Sequence, residues 1–227
     1  MPIASITKLM TAMVTLDSGL SLDETITIER EDVDLLKGTR SKLKLGVSLT
    51  RREMLRLALM ASENRAAAAL ARSYPGGTAA FVQAMNQKAK QLGMRDTRFL
   101  DSTGLNPGNV STALDLAFMV NASYHYPMIR DFTTTEQVRL AFEGVRRQRT
   151  LAFRNSNGLV RSGEWEIGLS KTGYISEAGR CLVMRVKLAS KDLIVVLLDS
   201  WGKQSRIGDA NRLKKWLESG QAPGRSS

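Results

Sequence analysis

The sequence has a single cysteine and a single histidine among its 227 residues. One cysteine excludes an intrachain disulfide, and the apolar run Cys181-Leu182-Val183-Met184 predicts that this thiol is buried rather than reactive. One histidine, His125, cannot form a metal site of several histidines, and it could join a Ser-His-Asp triad only as the base. We therefore predict structural roles for both side chains.

Long apolar runs and an acidic excess are also missing. No segment reaches the roughly 20 apolar residues that a membrane-spanning helix requires, and no signal peptide precedes the first predicted helix. Lys and Arg number 33 against 22 Asp and Glu, so the net charge of +11 favours an anionic partner. The basic residues are scattered in short groups such as Arg51-Arg52 and Arg146-Arg147, without zinc-ligand spacing or an RNA-binding aromatic motif. We therefore expect neither nucleic-acid binding nor an integral membrane segment.

The order of predicted elements indicates the fold class. Apolar spacing and end signals predict helices at about 3–18, 51–61, 65–74, 78–92, one that begins after Thr112, and 207–218. Extended patterns predict a short strand at 25–28 and three later strands at 166–172, 180–188 and 192–199. Helices grouped first and antiparallel strands grouped later favour an α+β fold. We expect one domain, residues 1–220, followed by a polar tail, residues 221–227.

Three short motifs carry the chemistry: Ser5-Ile6-Thr7-Lys8, Ser62-Glu63-Asn64 and Lys171-Thr172-Gly173. Residues three apart share a helix face, so Lys8 lies beside Ser5. A serine hydroxyl needs a neighbouring base, and a lysine is a base only when burial or nearby positive charge, such as Lys171, keeps it neutral. The helix N-terminus around Ser5 also offers backbone donors for an oxyanion. The motifs therefore predict an activated serine nucleophile.

The three motifs in this order indicate a class of protein more specifically than any one motif does alone. By composition, a Ser-x-x-Lys tetrad occurs roughly once in a chain of this size, and Lys-Thr-Gly in about one chain in twenty. The same trio, with aspartate in the second motif, is typical of penicillin-binding proteins and class A β-lactamases.

The segments around the motifs resemble the low-molecular-mass penicillin-binding proteins, which are serine D,D-peptidases of the bacterial cell wall. The resemblance covers nearly the whole chain, and its clearest segments are 2–13, 59–68, 85–89, 102–105 and 169–174. Residues 178–184 resemble the D-alanyl-D-alanine endopeptidase branch in particular. The resemblance implies a fold of the β-lactamase/D,D-peptidase type, an antiparallel sheet flanked by helices.

The catalytic roles follow from this resemblance. Ser5 is expected to form an acyl-enzyme with the carbonyl of the penultimate D-alanine, and Lys8 to act as general base. Ser62 is expected to relay protons to the leaving amine. The backbone amides of Ser5 and Tyr174 are expected to form the oxyanion hole.

The substrate-binding roles are implied in the same way. Asn64 positions the substrate amide, Lys171 and Thr172 hold the substrate by charge and hydroxyl, and Gly173 leaves room for its backbone. No metal and no organic cofactor is implied. The expected partners are peptidoglycan stem peptides, with β-lactam antibiotics as inhibitors, in the periplasm.

The resemblance also implies sequence upstream of Met1. In the family a secretion signal and two strands precede the nucleophile helix, whereas Ser5 stands almost at the start here. We therefore expect an incomplete sheet in which the strand ending at Asp199 exposes its backbone edge and the side chains of 194–198. Residues 1–227 alone are then expected to be poorly soluble or weakly active.

Three alternative functions remain at this point. A serine β-lactamase shares the fold, but class A enzymes carry a Glu and an Asn on a loop that activates water. The comparable segment here is Asp101-Ser102-Thr103-Gly104-Leu105-Asn106, with different spacing. A non-catalytic peptidoglycan binder is disfavoured by the intact Ser5, Lys8 and Lys171. A carboxypeptidase would use the same chemistry, but the membrane-anchored ones carry an added β domain and tail, whereas this sequence ends soon after Trp216.

Overall fold

The computed structural model describes residues 1–142, 149–188, 190–202 and 204–219. Its elements are, in chain order, a 3₁₀ turn (Ala4–Thr7), α1 (Lys8–Asp17), β1 (Thr25–Thr27), a second 3₁₀ turn (Arg30–Asp32), β2 (Ser48–Thr50), α2 (Arg51–Met60), α3 (Asn64–Arg72), α4 (Gly77–Gln91), α5 (Ala113–Tyr124), α6 (Pro127–Thr134), β3 (Gln137–Phe142), β4 (Arg149–Arg154), α7 (Gly158–Ser162), β5 (Glu166–Ile175), β6 (Gly179–Leu188), β7 (Lys191–Ser200) and α8 (Ser205–Ser219). The predicted tail, residues 221–227, lies outside the described residues, as do residue 220 and Arg146-Arg147.

The later strands form an antiparallel sheet in the order β5-β6-β7, and helices cover both of its faces. Alternate residues of β6 point to opposite faces of the sheet. Val183 packs in the large core shared with α5, whereas Leu182 and Met184 pack in a smaller cluster with α8. Two further antiparallel pairs of strands, β1–β2 and β3–β4, form separate two-stranded sheets. The predicted α+β fold, an antiparallel sheet flanked by helices, is confirmed.

Strand β7 is an edge strand, as expected, because it pairs only with β6 within the described ranges. The expectation that the side chains of 194–198 are exposed is wrong. Val195 is only 8% exposed, and its neighbours are partly buried, with Ile194 and Val196 against the large core and Leu197 against the smaller cluster. Helices α5 and α8 cover the two faces. The expected poor solubility stays a prediction.

Most helix ends in the structure lie within a few residues of the ends predicted from local sequence signals. The predicted capping box is present at α2, where Thr50 Oγ1 accepts from the Glu53 amide and Glu53 accepts from the Thr50 amide. Helix α6 was not predicted, although Pro127 occupies a position at which proline favours a helix start. Cys181 is fully buried, as predicted, and burial raises the pKa of its thiol.

No helix among the described residues is both long and apolar enough to cross a bilayer. The same residues contain no group of three or more His, Cys, Asp or Glu side chains that could hold a metal ion.

Candidate active site

Ser5 lies in the 3₁₀ turn that leads into α1, and two glycines pack against the backbone of this turn. A Cβ atom added to Gly104 would lie 2.0 Å from the Ala4 carbonyl oxygen, and one added to Gly173 would lie 3.1 Å from the Ser5 amide nitrogen. Ala4 itself has a positive φ of 47°, which costs a non-glycine residue on the order of 1–3 kcal/mol. The surrounding backbone therefore holds Ala4, the residue before Ser5, in a strained conformation, as is common at active sites.

Gly173 thus packs against the turn that carries Ser5, a contact that the resemblance did not indicate. Its missing side chain was expected to leave room for the substrate backbone. In the structure, the space beside it is occupied by the turn that carries Ser5, with the Ile3 carbonyl oxygen 3.0 Å from the added Cβ. The glycine therefore lets strand β5 lie against the turn that carries Ser5.

We expect Gly104→Ala to lower the free energy of unfolding by at least about 2 kcal/mol and to slow acylation, because the new Cβ would displace the Ala4–Ser5 peptide. Gly93→Ala is the matched control. Gly93 also has a positive φ, 75° against 81° at Gly104, but an added Cβ there meets nothing within 4 Å. Urea unfolding and penicillin-labelling rates measure both effects, and equal losses in the two variants would contradict the steric argument.

Lys8 is fully buried one turn from Ser5 and faces three oxygen atoms. Its Nζ atom lies 2.8 Å from Ser5 Oγ, 2.7 Å from Asn64 Oδ1 and 2.6 Å from the Thr103 carbonyl oxygen. The amide and carbonyl oxygens can only accept hydrogen bonds. A neutral lysine has two N–H bonds and one lone pair, so donation to these two oxygens directs the lone pair at the Ser5 hydroxyl.

Burial lowers the pKa of Lys8 to about 7, against the smaller opposing influence of the Asp101 and Glu63 carboxylates. Lys171 is equally buried, and desolvation together with the positive charges of Lys8 and Arg206 holds its pKa well below the usual range. A large neutral fraction of Lys8 at neutral pH is what a general base requires.

We expect the rate constant for acylation by a penicillin to rise with pH through about 7. Only neutral Lys8 can accept the Ser5 proton, so the rate should fall about tenfold for each pH unit below about 6 and level off above about 8. Labelling rates measured between about pH 5 and pH 9 test this dependence. A His125→Gln variant, which removes the only histidine, should keep the same profile. A flat profile for the unchanged protein would exclude a base with this pKa.

The second motif connects the two lysines. Ser62 Oγ accepts a hydrogen bond of 2.9 Å from Lys171 Nζ, and Ser62 has a positive φ of 58°. Asn64, two residues on, turns its Oδ1 atom to Lys8 and donates from Nδ2 to Thr39 Oγ1 over 3.0 Å. The short segment at the start of α3 therefore brings the Ser62 hydroxyl into contact with Lys171 and the Asn64 side-chain amide into contact with Lys8.

Strand β5 carries the third motif along the opposite side of Ser5. Thr172 Oγ1 donates to Ser156 Oγ over 2.7 Å, and Arg206 of α8 donates to the Gly173 carbonyl oxygen over 3.2 Å. Tyr174 is 56% exposed, and the guanidinium carbon of Arg180 lies 4.6 Å from its ring centroid. Residues outside the third motif therefore hold strand β5 in position.

The loop from Asp101 to Asn109 supplies the third acceptor for Lys8. The Asp101 carboxylate accepts hydrogen bonds from other groups of its loop: Thr103 N and Oγ1, Gly104 N, Asn106 N and Asn109 Nδ2. Asn109 is fully buried and also donates to Thr7 Oγ1 in the nucleophile turn. This network holds the Thr103 carbonyl oxygen against Lys8.

Sequence reasoning missed several residues that shape the site: Thr39, Thr103, Ser156 and Arg206. Thr103 was part of the resemblance, but a backbone carbonyl has no side-chain signature that would reveal its role. The predicted residues Ser5, Lys8, Ser62, Asn64 and Lys171 are joined by direct hydrogen bonds or adjacency, with Thr172, Gly173 and Tyr174 on the neighbouring strand. A hydroxyl held against a buried lysine, in this α+β fold, defines an active-site serine hydrolase.

Comparisons with known proteins specify the family. The sequence profile described as D-alanyl-D-alanine carboxypeptidase matches residues 1–202. D-alanyl-D-alanine endopeptidases of Pseudomonas aeruginosa and Escherichia coli are 50% and 49% identical to this chain, over 97% of it and 70% of each relative. The Streptomyces K15 DD-transpeptidase has a similar structure, with a TM-score of 0.86, 29% identity, and coverage of 96% of this chain and 88% of that one. The chain belongs to the D-alanyl-D-alanine carboxypeptidase family of serine peptidases.

Proposed function

We propose that this protein hydrolyses D-alanyl cross-links of peptidoglycan through an acyl-enzyme on Ser5. The 2.8 Å contact between Ser5 Oγ and the buried Lys8 Nζ carries the proposal, because it joins a nucleophile to a base of suitable pKa. Family membership gives the substrate class, the peptides of the bacterial cell wall.

Acylation begins with proton transfer from Ser5 to the lone pair of Lys8. Asn64 and Thr103 keep the remaining N–H bonds of Lys8 occupied, so the geometry is set before the substrate arrives. Ser5 Oγ then attacks the D-alanyl carbonyl. The amide of Ser5, in the first turn of its helix, has no acceptor within that helix and can stabilise the oxyanion together with the Tyr174 amide.

Departure of the amine needs a proton, for which Ser62 is the proposed donor. Because Ser62 Oγ already accepts from Lys171, its own hydrogen remains available for the leaving nitrogen. The hydroxyl then recovers a proton from the lysines of the site. Lys171 and Thr172 are proposed to hold a substrate carboxylate, and Asn64 the substrate amide.

A β-lactamase would need a group that activates water against the acyl-enzyme. Asp101 is the carboxylate in the comparable loop, but five donors of its own loop already occupy its two oxygens. A carboxylate has about four lone-pair sites, so little capacity remains for a water molecule. This supports a peptidase that releases a penicilloyl group slowly.

Endopeptidase activity is favoured over carboxypeptidase activity by the two relatives at about half identity, which are both named endopeptidases. The net charge of +11 suits a polymer rich in carboxylates, and we propose a periplasmic location.

Digestion of purified cross-linked dimers and uncross-linked pentapeptide monomers tests the choice between endopeptidase and carboxypeptidase, with labelled penicillin as the probe of Ser5. Cleavage of dimers with a stable label supports the proposal. Cleavage of monomers alone would make the protein a carboxypeptidase, and rapid loss of the label a β-lactamase.

A further inference from the structure

A groove of about 590 Å³ opens beside the second motif and is not used by the mechanism above. It is lined by residues 40–42, by 152–154 of β4, and by Ala61 and Glu63. Its volume lies in the range of sites that bind small molecules or short peptide segments. We call it the Arg40–Arg154 groove.

The groove carries a positive charge that the described residues do not neutralise. Lys42 Nζ donates to the Ala152 carbonyl oxygen over 2.8 Å, which joins the two sides of the groove. Glu63 is the one acidic lining residue, but it is only 8% exposed and accepts from the Ser41 hydroxyl and the Lys42 amide. Arg40 and Arg154 are exposed, and neither guanidinium has a hydrogen-bond or ion-pair partner among the residues that the structure describes.

These two arginines fit a carboxylate ligand. A guanidinium binds a carboxylate through paired N–H donors, which gives both affinity and orientation. Ala61 and Ala152, which also line the groove and are at least partly exposed, offer apolar surface for an aliphatic segment next to the carboxylate. The groove therefore fits an anionic peptide better than a neutral or cationic one.

The groove lies on the side of the active site where the leaving group of the scissile bond is expected to depart. Ala61 and Glu63 are the immediate neighbours of Ser62, the residue proposed to protonate the leaving amine. The peptide that departs with this amine must therefore begin close to Ser62. A cross-linked substrate has a second stem peptide on this side, whereas an uncross-linked one has a single D-alanine.

We propose that the Arg40–Arg154 groove binds the departing stem peptide of a cross-link through its carboxylates. Arg40 and Arg154 then determine the preference for cross-linked over uncross-linked substrate. This inference rests on the proposed function, because it takes the reaction at Ser5 as given and concerns only the part of the substrate beyond the scissile bond.

The test compares the double variant Arg40→Ala/Arg154→Ala with the unchanged protein on three probes: cross-linked dimer, pentapeptide monomer and labelled penicillin. We expect kcat/KM for the dimer to fall at least about fivefold, because two carboxylate contacts near the surface are lost. Turnover of the monomer and labelling by penicillin should change less than about twofold, since neither probe reaches the groove. The matched control, Arg95→Ala/Arg98→Ala, removes two exposed arginines elsewhere and should leave all three rates unchanged.

A dimer whose free carboxylates have been amidated provides a second readout. The unchanged protein should cleave it more slowly by the same factor, and the double variant should show no further loss. Equal dimer rates in the groove and control variants would overturn the inference, and so would a parallel loss of penicillin labelling in the groove variant. Failure of the unchanged protein to label with penicillin would instead refute the proposed function.

Discussion

Ser5→Ala is expected to abolish covalent labelling by penicillin and to reduce cross-link cleavage at least about 10⁴-fold, the scale seen when the nucleophile of a serine peptidase is removed. The fold should persist, because Ser5 is only half-buried and its side chain makes one hydrogen bond within the described part of the chain, to Lys8. We expect the free energy of unfolding to change by less than about 1 kcal/mol. Labelling followed by intact-protein mass spectrometry, with urea unfolding alongside, measures both quantities.

The control for this result is Ser62→Ala. It removes the other serine of the motifs, and with it the proposed proton donor for the leaving amine, but Ser5, the proposed nucleophile, remains. Penicillin should therefore still form a covalent adduct with Ser62→Ala, though more slowly. A mass increase in Ser5→Ala equal to one penicillin would place the nucleophile at another residue and exclude the mechanism.

Lys8→Arg is expected to slow acylation about as much as Lys8→Ala, by roughly 10²- to 10⁴-fold, the usual contribution of a general base. A guanidinium remains protonated in proteins and cannot accept the Ser5 proton. If Lys8 acted only as a positive charge, the arginine would keep much of the activity.

Two further measurements isolate the base function of Lys8. A small primary amine added to Lys8→Ala should restore part of the acylation rate by occupying the vacated position, whereas the same amine should not affect Lys8→Arg. Lys88→Arg is the control for the substitution itself, because Lys88 is only partly buried, in an ion pair with Asp17, and should tolerate the change. Near-normal labelling of Lys8→Arg would contradict the proposed role.

Local interactions explain why so much of the fold could be predicted. The capping box at Thr50 is formed by residues three apart, so the sequence reveals it directly. The three strands of the main sheet also show clear patterns. Helix α6 was missed because it follows α5 after only two residues, His125 and Tyr126, and the two patterns run together.

The error about residues 194–198 has a different cause. Strand β7 was expected at an edge, and its side chains were assumed to share the exposure of its backbone. The two faces of a strand are covered independently of its edge, and here α5 and α8 cover them. Which helix packs on which face depends on contacts between distant segments, which no local pattern encodes.

The sequence by itself identified Ser5 as the proposed nucleophile and Lys8 as its proposed partner. Ser5 and Lys8 are three residues apart on a helical segment, so the geometry of the helix brings them together whatever the rest of the chain does. The order of the three motifs was sufficient to indicate the chemical class. These inferences needed only residue types, spacing and local structure.

Only the tertiary structure decided whether Lys8 could act as a base. Its lowered pKa comes from burial, and its lone pair is directed by Asn64 and by Thr103, which lie 56 and 95 residues away in the sequence. The close approach of Gly104 to Ala4 is equally non-local, and so is the charge of the Arg40–Arg154 groove, which no described residue pairs. Desolvation and hydrogen-bond geometry depend on all the atoms around a group, and the chain defines those neighbours only when it is folded.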